Sequence, residues 1–93
     1  MVSENYVYIG NLPFDATEQM IRDALAPFVT VRNVTLAIDK ETGRFMGFAY
    51  AELSSVAEVT KVIGELNGKN IGGRASYLGL SSENPDLWER VFI

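Results

Sequence analysis

The sequence predicts an α+β domain in the order βαββαβ, with a four-stranded antiparallel sheet and two helices on one face. Three observations lead there. Four segments alternate in residue character with the two-residue period of a strand. Two segments between them carry apolar residues at helical spacing. The chain has 93 residues, enough for a single core and too few for two.

From Tyr6 to Leu12, aromatic or small residues (Tyr6, Tyr8, Gly10) alternate with Val7 and Ile9, giving a strand with two unlike faces that ends at Asn11-Leu12-Pro13. Thr17 is placed to cap a helix, Glu18 suits its first turn, and Ile21, Ala24, Leu25 and Phe28 follow helical spacing until Pro27 interrupts. From Val31 to Asp39 the period returns to two, with Val34, Leu36 and Ile38 on one face and Asn33, Thr35 and Ala37 on the other. A charged turn around Gly43 leads by hairpin into Gly47 to Leu53, where Phe48, Tyr50 and Glu52 alternate with Ala49, Ala51 and Leu53. Ser55 with Glu58 forms a capping box, and Val56, Val59, Val62, Ile63 and Leu66 make the stripe of the second helix, which Asn67-Gly68 ends. After the Gly72-Gly73 turn, Ser76, Leu78 and Leu80 alternate with Ala75, Tyr77 and Gly79 as the last strand. Two right-handed βαβ units joined by the central hairpin give a ferredoxin-like sandwich.

Composition removes most chemistry. The chain has no Cys and no His, which excludes thiolate and imidazole metal sites, cysteine nucleophiles and histidine-based acid/base catalysis. Asp39, Glu41 and Gly43 begin like a calcium loop, but Arg44 and Tyr50 break the pattern at its sixth and twelfth positions. No Lys-Ser/Thr follows Gly72-Gly73 at phosphate-loop spacing. No metal, cofactor or catalytic residue is expected, and the domain reads as a non-enzyme. No apolar run reaches the roughly 18 residues of a membrane span, and Met1 to Asn5 do not resemble a signal peptide, so an intracellular protein is expected, in nucleus or cytoplasm. The glycosylation-type triplet Asn33-Val34-Thr35 lies on a strand and is read as chance. A formal charge of −4 disfavours phosphate as a partner for the domain as a whole, an objection that any nucleic-acid reading must answer.

Sorting strand residues by parity is the informative step. Val7, Ile9, Val34, Leu36, Ala49, Ala51, Leu53, Leu78 and Leu80 match the aliphatic helix faces of Ile21, Leu25, Phe28, Val59, Ile63 and Leu66 and belong beneath them. The opposite parity collects Tyr6, Tyr8, Met46, Phe48, Tyr50 and Tyr77, so all four tyrosines fall on the face with no helix. An aromatic face turned to water calls for a partner.

At these residues the sequence resembles the RNA recognition motif family. The family's hexamer on the first strand (aliphatic-aromatic-aliphatic-x-Asn-Leu) stands as Val7-Tyr8-Ile9-Gly10-Asn11-Leu12. Its octamer on the third strand stands as Met46-Gly47-Phe48-Ala49-Tyr50-Ala51-Glu52-Leu53 and fits at six of eight positions. The resemblance covers about residues 5–81 and implies a domain over 1–82, with 83–93 as an extension. It further implies single-stranded RNA as the partner, with Tyr8 and Phe48 as stacking platforms and Tyr50 against a sugar or further base. Tyr6, Met46 and Tyr77 complete the face, and Asn11, Arg44 and Arg74 are secondary contacts. Each stacked base contributes about 1–3 kcal/mol, so Phe48→Ala is expected to weaken binding by that amount without unfolding the domain. Met46 stands where the family usually places Lys or Arg, which removes one phosphate contact and implies weak binding. Leu53, in place of the octamer's last aromatic residue, is on the buried side.

Arg44, Arg74, Lys40 and Lys69 read equally well as solvated surface cations. In the extension, Asn84 and Pro85 suit a helix start, and Leu87, Trp88, Val91 and Phe92 gather on one side of about eight residues, too short to stand alone. Such a helix must dock on the open sheet face, on the domain's edge, or on a partner or second copy. A protein-interaction module using the aromatic face or this helix is therefore the alternative function, favoured by the negative charge and Met46. The Arg-x-Phe loop by which some family members capture tryptophan peptides is absent, Gly72-Gly73-Arg74-Ala75 standing in its place.

Overall fold

A computed structural model describes residues 5–80; the expected C-terminal helix with Leu87, Trp88, Val91 and Phe92 lies outside the described residues. The elements are β1 (Tyr6–Gly10), α1 (Glu18–Leu25), β2 (Val31–Ile38), β3 (Phe45–Leu53), α2 (Val56–Leu66), β4 (Asn70–Ile71), β5 (Arg74–Ala75) and β6 (Tyr77–Leu80). Four of them form one antiparallel sheet in the order β2-β3-β1-β6. The first and third strands, which carry the two motifs, are thus adjacent at its centre. The expected βαββαβ sandwich is present. Its one addition is the β4–β5 hairpin, which pairs Asn70 with Ala75 and Ile71 with Arg74 where the sequence predicts only a turn.

The parity reading holds across the sheet. Val7 and Ile9 of β1, Val34 of β2, Ala49, Ala51 and Leu53 of β3 and Leu78 of β6 share one buried cluster with Ile21, Leu25, Val59, Val62 and Leu66 of the helices. Burying each large aliphatic side chain here contributes about 1.5–3 kcal/mol, which makes this the sheet's anchored face. Two residues expected in that core are not in it. Leu80 ends edge strand β6 and is 49% exposed, and Val56 opens α2 a turn before its stripe begins and is 47% exposed. In β2 a register shift between Leu36, opposite Ala49, and Ile38, opposite Phe45, leaves Ile38 half-buried beyond the core.

Both helices start on the expected caps. The Thr17 hydroxyl accepts from the Met20 N–H at 3.1 Å, and the Ser55 hydroxyl accepts from the Glu58 N–H at 3.3 Å. Gly68, at φ +86°, takes the left-handed position after α2 and donates its N–H to the Ser76 carbonyl. The Ser55–Glu58 capping box departs from expectation in its return bond. The Glu58 carboxylate accepts from the N–H and hydroxyl of Ser54, one residue before the cap, and from the Thr30 N–H at 3.2–3.3 Å. One side chain thereby ties the start of α2 to the loop before β2.

The Ser54 hydroxyl is the main cause that holds the Glu58 carboxyl below its ordinary value of 4.5. Burial opposes it, while the Thr30 and Ser54 N–H groups and the charge of Lys61 add to it. A carboxyl with a lowered folded-state pKa stabilises the fold above its unfolded value, and the contribution is lost as pH falls from 4.5 through the lowered folded value. Thermal midpoints measured between about pH 6 and pH 3 should therefore fall more steeply for the natural chain than for Glu58→Gln. Parallel slopes would show that the tie is not energetic.

Candidate nucleic-acid interface

The face opposite the helices carries its own apolar cluster, Ala37, Phe48 and Tyr50, with Tyr6, Tyr8 and Met46 packed around it. Tyr8 is its hub. Its ring centroid lies 5.3 Å from Phe48, 5.7 Å from Tyr50 and 6.1 Å from Tyr77, and Phe48 and Tyr50 meet edge to face at 5.8 Å. The ladder explains the meeting: Tyr8 stands opposite Tyr50 on β3 and opposite Gly79 on β6, and Tyr77 stands opposite Gly10. Such edge-to-face and tilted pairs are favoured by the ring quadrupole.

The rings share the face as expected but not equally its contact with water, and this corrects the picture of an openly exposed platform. Tyr77 is 46% exposed and Tyr8 intermediate, whereas Phe48 retains 5% and Tyr50 1%. Phe48 and Tyr50 are hemmed in by Ala37, Tyr6, Tyr8 and Met46, which take up the contact area that an isolated ring would leave to solvent.

Burial chiefly, and the neighbouring Tyr8 phenol, push the Tyr50 pKa up to about 12. Tyr6 is raised more modestly, first by burial and then by the Glu52 carboxylate that it faces across the ladder. A phenol that keeps its proton longer when folded supports the fold fully below the ordinary value of 10.0, and that support is lost as pH rises from there toward 12. Ultraviolet titration of phenolate should show a late-ionising tyrosine that disappears in Tyr50→Phe. A single titration near 10 in the natural chain would contradict the packing.

The Asn11 side chain is engaged within the fold. At φ +60°, it donates from Nδ2 to the Ala75 carbonyl at 2.6 Å and accepts at Oδ1 from Arg74 Nη2 at 2.8 Å. The motif asparagine is a latch between the end of β1 and the β4–β5 hairpin, and it fixes the Arg74 guanidinium there. No local pattern could show this, because the partners are more than sixty positions away along the chain. Arg44 falls at the same end of the sheet, just before β3 begins, where the Leu12 N–H donates to the Gly47 carbonyl. Lys40 in the β2–β3 turn and Lys69 before β4 also belong to that end, and all four cations are exposed. Asp39 shares the turn, but its carboxylate accepts from the N–H groups of Glu41 and Thr42. Exposed cations are thus present in the loops at this end of the sheet, interspersed with Asp39 and Glu41 in the β2–β3 turn. Among the described residues, no group of His, Cys, Asp or Glu could hold a metal, and no helix is long and apolar enough to cross a membrane.

A βαββαβ sandwich with clustered aromatic rings on the sheet's helix-free side defines a class of binding domain built around a sheet surface. The chain belongs to the RNA recognition motif family, whose model matches residues 7–77. It is 41% identical over 68 residues to the putative RNA-binding protein RbpB of Nostoc sp., covering 73% of this chain and 66% of that protein. Against the chloroplastic 28 kDa ribonucleoprotein of Spinacia oleracea, identity is 34% over 79 residues, covering 85% of this chain and 34% of the other. This chain therefore spans about two thirds of the first relative and about one third of the second. Among solved structures, the RRM of Rna15 with bound RNA (GU) superposes with a TM-score of 0.73 at 30% identity, over 91% of this chain and 95% of that one.

Proposed function

We propose that this domain binds single-stranded RNA by stacking bases on the Tyr8-centred face while Arg44 and Arg74 meet phosphates at one end of it. The observation that carries the reading is the placement of Tyr8, with Phe48, Tyr50 and Tyr77 all within 6.1 Å on the side away from both helices. Similarity to an RNA-bound family member supports it, and the exposed Arg44 and Arg74 offer positive charge locally in a chain that is acidic as a whole. Met46 packs against the aromatic cluster and offers no charge, so about two or three phosphates are met, and log affinity should fall with log salt at only about −0.7 per phosphate. Two or three stacked bases at about 1–3 kcal/mol each give about 2–9 kcal/mol, which reaches the roughly 8 kcal/mol of micromolar affinity only at the top of that range. Binding by the domain is weak.

A heteronuclear titration with a pool of short oligoribonucleotides tests this. Shifts should centre on Tyr8, Phe48 and Tyr77 and on the arginine end, and shifts confined to α1 and α2 would reject it.

The apolar side chains Leu87, Trp88, Val91 and Phe92 at helical spacing favour a second element, in which the segment 83–93 competes with RNA for the aromatic face. Truncation after Ser82 should then raise affinity, and unchanged affinity rejects competition. If affinity is unchanged and the full chain self-associates or captures a polypeptide through Trp88, the segment is a protein contact instead.

A further inference from the structure

Gly10 lies directly beneath the Tyr8 ring. A Cβ built at Gly10 would sit 2.9 Å from both Cε2 and Oη of Tyr8 and 3.1 Å from Cζ, and these three are its nearest neighbours. Carbon atoms in ordinary contact stand about 3.5–4.0 Å apart, so the ring and a residue-10 side chain cannot both occupy this place. The backbone offers no competing reason for glycine: Gly10 is absent from the glycines at positive φ. Residues 8 and 10 project from the same face of β1, and strand side chains lean along the strand, which carries the ring from its own Cα over its second neighbour. Gly10 is also the residue opposite Tyr77, so lying over Gly10 brings Tyr8 beside Tyr77 at 6.1 Å.

We infer that Gly10 is a positioning residue for the base-stacking surface: the missing side chain seats the Tyr8 ring along β1, where it joins Tyr77 on one side and Phe48 on the other. The inference rests on the RNA-binding reading for its consequence, but the seat itself is a property of the domain without RNA. A methyl group at residue 10 would lift or swing the Tyr8 ring and separate it from Tyr77, leaving every other contact of the β1 backbone in place.

The test uses the full chain as Gly10→Ala, Tyr8→Ala and the double variant, with single-stranded octaribonucleotides of mixed sequence as probe. Gly10→Ala should shift the Tyr8 and Tyr77 ring resonances without RNA, weaken binding about fivefold or more, and have no further effect in the Tyr8→Ala background. Unmoved ring resonances overturn the seat. Natural affinity in Gly10→Ala, or an equal loss with and without the Tyr8 ring, overturns the positioning role. If Gly10→Ala does not fold, the double variant decides: folding restored by removing the ring supports the contact, and failure of both overturns it. If the natural chain itself binds none of the probe, the RNA reading fails, while the ring resonances still report on the seat.

Discussion

Tyr8→Ala should weaken RNA binding by about 1–3 kcal/mol, roughly 5- to 150-fold in the dissociation constant, with the fold retained. Tyr8 touches each of the other three rings at 5.3–6.1 Å and is itself only partly buried, so its removal takes away both a stacking surface and the member that holds the others together. The main core lies on the opposite side of β1 and does not include it. Calorimetric titration paired with thermal unfolding is the measurement. Natural affinity in Tyr8→Ala would remove the aromatic face from the binding site, and a collapse of the fold would show that the second cluster is structural. Phe48→Ala, the substitution that the motif first suggests, separates these outcomes less well. At 5% exposure Phe48 is packed on several sides, and deleting a buried phenylalanine commonly costs about 3–5 kcal/mol of stability. The near-complete burial of Phe48 therefore adds an expected stability cost to the weakened binding that its motif position implies.

Parity along the strands was legible because it is local: Tyr6, Tyr8, Phe48 and Tyr50 on one face and Val7, Ile9, Ala49 and Ala51 on the other follow from a period of two, and any error of register would have exchanged the sets. The caps at Thr17 and Ser55 were legible for the same reason. What escaped depends on residues far apart in sequence. The Glu58 carboxylate bonds to Thr30, which no capping pattern contains. The motif position of Asn11 gives no sign that the fold brings Ala75 and Arg74 to its side chain. The near-complete burial of Phe48 and Tyr50 comes from crowding between β1, β2 and β3, a property of the assembled sheet. Gly10 is the instructive intermediate: its spacing from Tyr8 is in the sequence, but only the leaning ring shows why a side chain there would matter.

One position along the strand from Tyr8 the expected result inverts. Ile9 has no exposed surface, pairs with Ala49 on one side and Leu78 on the other, and lies in the core beneath both helices. Ile9→Ala should cost about 2–5 kcal/mol of stability, from the lost burial of the methylene and methyl groups together with the cavity that they leave. The higher part of that range applies because Ala49 and Ala51 on the adjoining strand are too short to fill the space, and central strand β1 is held between β3 and β6 and cannot move inward. Against a typical total of about 5–15 kcal/mol, such a loss brings the domain close to unfolding at ordinary temperature. Molecules that remain folded still present Tyr8, Phe48 and Tyr77 unchanged, so saturating RNA should restore part of the stability by mass action, and apparent affinity should fall only by the unfolded fraction. Urea unfolding with and without oligoribonucleotide reads both quantities from one variant. If Ile9→Ala instead abolished binding while its urea midpoint stayed that of the natural chain, residue 9 would belong to the RNA face, and the assignment of alternate β1 residues to opposite sides of the sheet would be wrong.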